Sequence, residues 1–218
     1  MKKKIFPKIS GHSEITYGEE GTIYKKMSQN NNEYIIYNYL NEKYKNFASE
    51  YIPKIITVIG NKLQLIDISY NYKDAYMMDI KIGSRKMKPH TSKYFTVKGY
   101  TNDKMFNFDK KKFMTNEETK IIFQNFLSKT KSVNKIINIW INKLTDLKNN
   151  LKKINLKLTG ISLILIYDGE NTIEDSKEIC NLYIIDFAKA KIIDNSIYYD
   201  NDVFIAIEKI IEYLTLFI

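Results

Sequence analysis

The chain has 218 residues, enough for one domain or one compact two-lobed unit with a buried core. Its composition, 44% hydrophobic and 27% charged, excludes general disorder, and its single cysteine, Cys180, excludes an internal disulfide. Lys and Arg number 34 against 25 Asp and Glu, a formal charge of +9 that draws polyanions: nucleic acid, anionic membrane or a multiply phosphorylated small molecule.

The basic start, Met1 to Pro7, lacks the apolar stretch of a secretory leader. No later run approaches the ~20 apolar residues that cross a bilayer. An intracellular protein, cytoplasmic or nuclear, monomeric and without a membrane span, is expected. Residues 21–26 predict a strand. The helix after it opens with Asn30 and Glu33 at capping-box spacing, and Ile36, Tyr37, Leu40, Tyr44 and Phe47 give it one apolar stripe. Two short strands, 55–60 and 63–68, flank the turn Gly60-Asn61. The first third thus reads as a small sheet packed on one helix.

A strand over 76–82 ends at Gly83-Ser84, and a Lys-rich irregular stretch, 86–93, leads to a short strand near 94–98. Thr115-Asn116-Glu117-Glu118 is a capping box that opens a helix to about Leu127. A longer helix starts near Ser132, with Val133, Ile136, Ile137, Trp140, Leu144, Leu147 and Leu151 three or four apart and facing a core. Two strongly apolar strands, 161–167 and 182–187, and a helix over about 202–216 complete the chain. A small sheet-plus-helix half followed by a larger mixed half gives an α+β, two-lobed architecture.

Three segments carry chemistry. In Asp79-Ile80-Lys81-Ile82-Gly83, strand alternation puts Asp79, Lys81 and Gly83 on one face and Met78, Ile80 and Ile82 on the other. An acid and an amine side by side at a strand end, followed by Gly and a basic loop, can hold two phosphate-bearing ligands together. Taken alone, the same pattern also describes a surface ion pair on an edge strand. Ile184-Ile185-Asp186-Phe187-Ala188 places a carboxylate directly after a buried strand, where it can hold Mg²⁺ near nucleotide phosphates or cap the following turn. In 160–169 a single hydroxyl, Ser162, interrupts an apolar run.

In order, these segments resemble the inositol polyphosphate kinase family, whose signature is P-x-x-x-D-x-K-x-G. Here it reads Ala75-Tyr76-Met77-Met78-Asp79-Ile80-Lys81-Ile82-Gly83, with Ala75 in place of Pro. The family's S-S-L-L is similar to Ile161-Ser162-Leu163-Ile164, and its I-D-F-A is intact at 185–188. Thr22-Ile23-Tyr24-Lys25 is similar to the nucleotide-lysine strand, Glu33 to Tyr37 to an E-x-x-F-Y helix, Tyr51-Ile52-Pro53-Lys54 to an I-P-K turn, and Leu65-Ile66-Asp67-Ile68 to an L-E-D-L hinge. Phe204 to Leu214 resembles the terminal helix, with Ile205-Ala206 where Gly-Leu is usual.

The resemblance implies a protein-kinase-like fold. Residues 1–68 would form an N-lobe that ends at the hinge, and residues 69–218 a C-lobe with an inositol-phosphate-binding segment at about 84–128. It implies ATP and Mg²⁺ as cofactors. Lys25 would contact the α- and β-phosphates, oriented by Glu33. Backbone groups of Ile66 and Ile68 would hold adenine, with Asp67 near the ribose. Asp186, with Ser162, would position Mg²⁺, and Lys81 would bridge the γ-phosphate and the acceptor. Asp79 would serve a hydroxyl acceptor as base, or orient Lys81 where the acceptor is already a phosphate. Arg85, two after the glycine, is similar to the hexakisphosphate and trisphosphate kinase branches and would touch the γ-phosphate or acceptor. Lys86, Lys88, Lys93, Lys98, Lys104, Lys110, Lys111 and Lys112 would gather the acceptor's phosphates, each carrying roughly −1.5 to −2 charge. The leading activity is phosphorylation of a highly phosphorylated inositol, pyrophosphate formation included. A hydroxyl-directed multikinase or trisphosphate kinase is the second reading, and a basic nucleic-acid-binding protein the non-enzymatic one.

Overall fold

The computed structural model describes residues 14–27, 32–83, 95–102, 104–108, 115–169, 179–193 and 201–218. Strands β1 (Ile15–Tyr17), β2 (Thr22–Lys26), β3 (Ile55–Ile59) and β4 (Lys62–Ile66) form one antiparallel sheet in the order β1-β2-β4-β3. Gly60, at φ +58, turns β3 into β4 in the left-handed region that favours glycine. Helices α1 (Asn32–Lys43) and α2 (Lys45–Tyr51) lie between β2 and β3 in the chain. They bury Ile36, Tyr37, Leu40, Phe47, Ala48 and Tyr51 in the same core as Leu63 and Leu65 of β4.

The stripe expected to run along one helix is divided at Tyr44, whose backbone leaves the helical region at φ −132, ψ 50. Hydrogen bonds from Tyr44 N–H to Leu40 O and from Ala48 N–H to Tyr44 O carry across the break, so it is a kink. Tertiary contacts override the periodic pattern there. The Tyr44 ring sits edge-on to Tyr39 at 5.7 Å, and its hydroxyl accepts from Asn155 N–H.

The second sheet has β5 (Ala75–Ile82), β6 (Thr96–Asn102), β7 (Lys104–Asn107), β9 (Ile161–Asp168) and β10 (Cys180–Ile185), in the order β10-β9-β5-β6-β7 and antiparallel throughout. A two-stranded sheet pairs β8 (Leu156–Lys157) with β11 (Lys191–Ile192). Every residue of β9 is buried, as a continuous apolar run in the middle of a sheet requires. Three helices accompany the second sheet: α3 (Asn116–Leu127), α4 (Val133–Leu151) and α5 (Asn201–Thr215). The Thr115 capping box forms as the sequence predicts: Thr115 Oγ1 accepts from Glu118 N–H, and Glu118 Oε2 accepts from Thr115 N–H. On α4, Ile136, Ile137, Trp140, Leu144, Leu147 and Leu151 are all buried.

The strand expected near 94–98 runs further, to Asn102, and turns back into β7. No alternating apolar pattern announces β7, because only Phe106 of its four residues is even partly buried. Gly83 ends β5 at φ +78. A Cβ there would lie 2.8 Å from Leu158 O and 3.2 Å from Val203 Cγ2, so the strand end is pressed between the segment before β9 and helix α5.

Candidate active site

Sheet register builds the centre of the site. Lys81 of β5 pairs with Ser162 of β9, and Ser162 pairs with Ile185 of β10, so the three residues stand abreast. With strands ~4.8 Å apart, the lysine side chain reaches across β9 to the residue just past the end of β10. That residue is Asp186. Lys81 Nζ donates to Ser162 Oγ at 3.0 Å and to Asp186 Oδ2 at 2.9 Å.

The first sheet supplies the other half. Lys25, near the end of β2, donates to Asp186 Oδ1 at 2.6 Å and to Glu33 Oε1 at 2.7 Å. Both carboxylate oxygens of Asp186 therefore face an ammonium group, one from each sheet. The chain is polarised from inside to outside: the side chains of Glu33 and Lys25 are 3% and 8% exposed, those of Asp186 and Lys81 30% and 31%. The Asp186–Lys81 end is the one open to solvent.

The electrostatics follow from this arrangement. Burial alone would raise the Asp186 pKa, but Lys25 and Lys81 outweigh it and hold the carboxyl well below the usual carboxylate range. Burial alone would lower the Lys25 pKa, and Asp186 and Glu33 overcome it and raise that pKa. The Tyr37 hydroxyl, fully buried, is pushed well up by burial and then by the negative charges of Glu33 and Asp186. Among the described residues it has no hydrogen-bond partner.

Asp186 is also unusual in its backbone. It adopts the left-handed conformation, φ 71 and ψ 51, just ahead of a short 3-10 turn, Phe187–Lys189. The turn is gripped from α1. Asn32 Nδ2 lies 2.9 Å from Ala190 O, 3.0 Å from Ala188 O and 3.4 Å from Phe187 O. The buried Phe187 ring meets Tyr37 edge-on at 5.2 Å.

Asp79 is 4% exposed and stands between Ile164 and Gly99, where the β5–β6 register slips between Asp79 and Ile80. Such irregularities re-aim side chains beside functional sites. Lys98 is the extra residue in that slip and is partly exposed. Thr96 stands opposite Lys81. Lys104 does not join the cluster. It follows the far end of β6, six residues beyond Thr96 and so about 20 Å along the strand. There its ammonium lies over the Phe106 ring at 5.3 Å. Arg85, Lys86, Lys88, Lys93, Lys110, Lys111 and Lys112 lie outside the described residues, as does Asn30 of the expected capping box.

At the hinge, Ile66 N–H donates to Lys54 O and Asp67 N–H to Gly21 O, so neither amide is open to a ligand. Asp67 Oδ1 accepts from both Ser69 N–H and Ser69 Oγ and stiffens the turn that leaves β4. A cavity of about 430 Å³ adjoins this segment, walled by Ile52, Pro53, Lys54, Ile66, Asp67, Ile68, Tyr72 and Tyr183 among others. It shares no residue with the polar cluster. Its Tyr183 precedes Asp186 on β10 by three residues, about 10 Å of strand.

For two residues around this site the sequence pattern signalled capping or packing rather than chemistry. Asn32, at the start of a helix, reads as an ordinary cap, and Tyr37 as part of the core stripe. The Asp186 carboxylate and the Ser162 hydroxyl, which both accept from Lys81 Nζ, are oxygen donors that suit a hard cation such as Mg²⁺. Among the described residues no group of three or more His, Cys, Asp or Glu forms a metal cage.

Comparison with known proteins bears on the fold and the family. Inositol phosphate multikinase Ipk2 of S. cerevisiae, solved with ADP and Mn²⁺, superposes with a TM-score of 0.66 at 14% identity, covering 91% of this chain and 99% of that one. A second inositol phosphate multikinase structure gives 0.65 at 14% identity, covering 85% and 99%. At that identity the likeness establishes the fold: the two-lobed α+β architecture is the one these kinases have. A search of curated proteins finds no significant match. The inositol polyphosphate kinase profile matches residues 95–215, more than half of the sequence, and on that span the chain belongs to the inositol polyphosphate kinase family.

Proposed function

We propose that the protein transfers the γ-phosphoryl group of ATP to an inositol polyphosphate. One observation carries the reading: lysines from two different sheets converge on the two oxygens of Asp186, at 2.6 and 2.9 Å. Phosphoryl transfer asks a protein for alignment and for positive charge around the moving group. In this reading residues 1–68 form the nucleotide lobe and 69–218 the acceptor lobe. Ile66, through its carbonyl, and Ile68, through its amide, hold the adenine. Lys25, kept in place by Glu33, takes the α- and β-phosphates, and Lys81 spans the γ-phosphate and the acceptor.

Asp186 and Ser162 would hold Mg²⁺, which when bound would supply positive charge against the nucleotide phosphates. In the transfer, the acceptor oxygen bonds to the γ-phosphorus while the bond from that phosphorus to the β–γ bridging oxygen breaks, leaving ADP. With a hydroxyl acceptor, Asp79 receives the proton. Both solved structures compared above are of inositol phosphate multikinases, which favours a hydroxyl acceptor. Pyrophosphate formation on a fully phosphorylated inositol is the second reading, supported by the Arg85 position in the sequence. The rival reading as a nucleic-acid-binding protein gives no reason for a Glu33–Lys25–Asp186–Lys81 chain that runs from a buried inner end to a half-buried outer one.

The test is ADP release from Mg-ATP against a panel of inositol phosphates, with the products separated by chromatography. Acceptor-dependent ADP and a product one phosphate richer are expected. Lys81→Met and Asp186→Asn should each lower turnover by about 10²–10³-fold, the scale of losing one transition-state contact. Turnover on hexakisphosphate but on no acceptor with a free hydroxyl would select the pyrophosphate reading. Unchanged turnover in either variant removes the role given to that residue.

A further inference from the structure

Asn32 holds the turn after Asp186 in a way that a helix cap does not. Its carboxamide nitrogen carries two hydrogens, and three carbonyls, of Phe187, Ala188 and Ala190, close on that one atom from across the fold. They belong to the 3-10 turn and the residue after it. Asp186 itself makes no side-chain bond to this turn, because its carboxylate is committed to Lys25 and Lys81. A left-handed non-glycine residue is held by its surroundings, and here the surroundings are α1: Asn32 on the carbonyls and Tyr37 against the Phe187 ring. The next residue, Glu33, fixes Lys25. The first turn of one helix thus governs both the carboxylate and the lysine that faces it.

We propose that Asn32 is a positioning residue: by gathering the carbonyls of 187–190 it keeps Asp186 aimed at the divalent ion and phosphates. The proposal rests on the kinase reading, in which Asp186 holds that ion. Partners one step removed from a metal ligand typically change affinity by about 10–100-fold when lost.

The test compares wild type, Asn32→Ala and Asn32→Asp. Asp keeps the side-chain volume and suits a helix N-terminus. It therefore preserves α1 while replacing the donor with an acceptor that the three carbonyls repel. Binding of Mn²⁺ in the presence of ADP is followed by electron paramagnetic resonance, and the Mg²⁺ concentration for half-maximal turnover is measured alongside. Both variants should bind Mn²⁺ about tenfold or more weakly and need correspondingly more Mg²⁺, with the acceptor KM unchanged. Thermal melting checks folding, and if Asn32→Ala is unfolded, Asn32→Asp decides. Wild-type Mn²⁺ affinity in a folded Asn32→Asp protein overturns the proposal and leaves the kinase reading standing. A wild-type protein that binds no Mn²⁺–ADP and transfers no phosphate overturns both.

Discussion

Asp186 stands against two ammonium groups, on a backbone conformation that few side chains adopt. Its depressed pKa has a consequence for stability. A carboxyl whose folded pKa lies below its unfolded value, about 3.9 for Asp, contributes stability that is whole above that value and is lost as pH falls through the folded one. Asp186→Asn should therefore melt well below wild type at neutral pH, with the gap closing as pH drops below about 4. A gap that stays constant down to pH 2 would contradict the ion pairing. At this scale the sequence was informative where chemistry is costly. A carboxylate after an apolar strand, and a lysine alternating with an acid, stand out against their neighbours. Asn32 did not, since its partners lie more than 150 positions away and its type is common at helix starts.

The elements bring those side chains together by register. Lys81, Ser162 and Ile185 are abreast only because β5, β9 and β10 pair without a slip along that line. A one-residue shift of any of the three strands would turn its side chain to the opposite face. Gly83 guards the end of this arrangement. Gly83→Ala meets both a positive φ and a carbonyl 2.8 Å from the new Cβ, whereas Gly60→Ala meets a positive φ with nothing within 4 Å. Urea titration should show a loss of about 1–2 kcal/mol for Gly60→Ala, the cost of the left-handed backbone alone, and a clearly larger loss for Gly83→Ala. Equal losses would mean that the strand end is loose. Long elements with a steady period, such as α4 and β9, were legible in the sequence. The strands β1, β8 and β11, at two or three residues each, were not, because so short a piece owes its conformation to its partner rather than to any pattern of its own.

Taken as a whole, the molecule makes its polar centre from both sheets: Lys25 comes from the first, and Lys81, Ser162 and Asp186 come from the second or its edge. Neither half contains the arrangement by itself. The sequence could suggest two lobes from the change in pattern along the chain, but not the grip of α1 on residues 187–190, which is a contact between distant segments. The one tryptophan stands apart from this chemistry. Trp140 is 0% exposed, lies parallel to Phe126 at 6.0 Å and donates to Asn181 O. Asn181 is five residues and about 16 Å of strand before Asp186. The indole is thus a natural fluorophore sealed in the larger half. Its emission should move to longer wavelength when urea opens that half and stay still when Mg-ATP is added, so one cuvette can follow unfolding without interference from ligand.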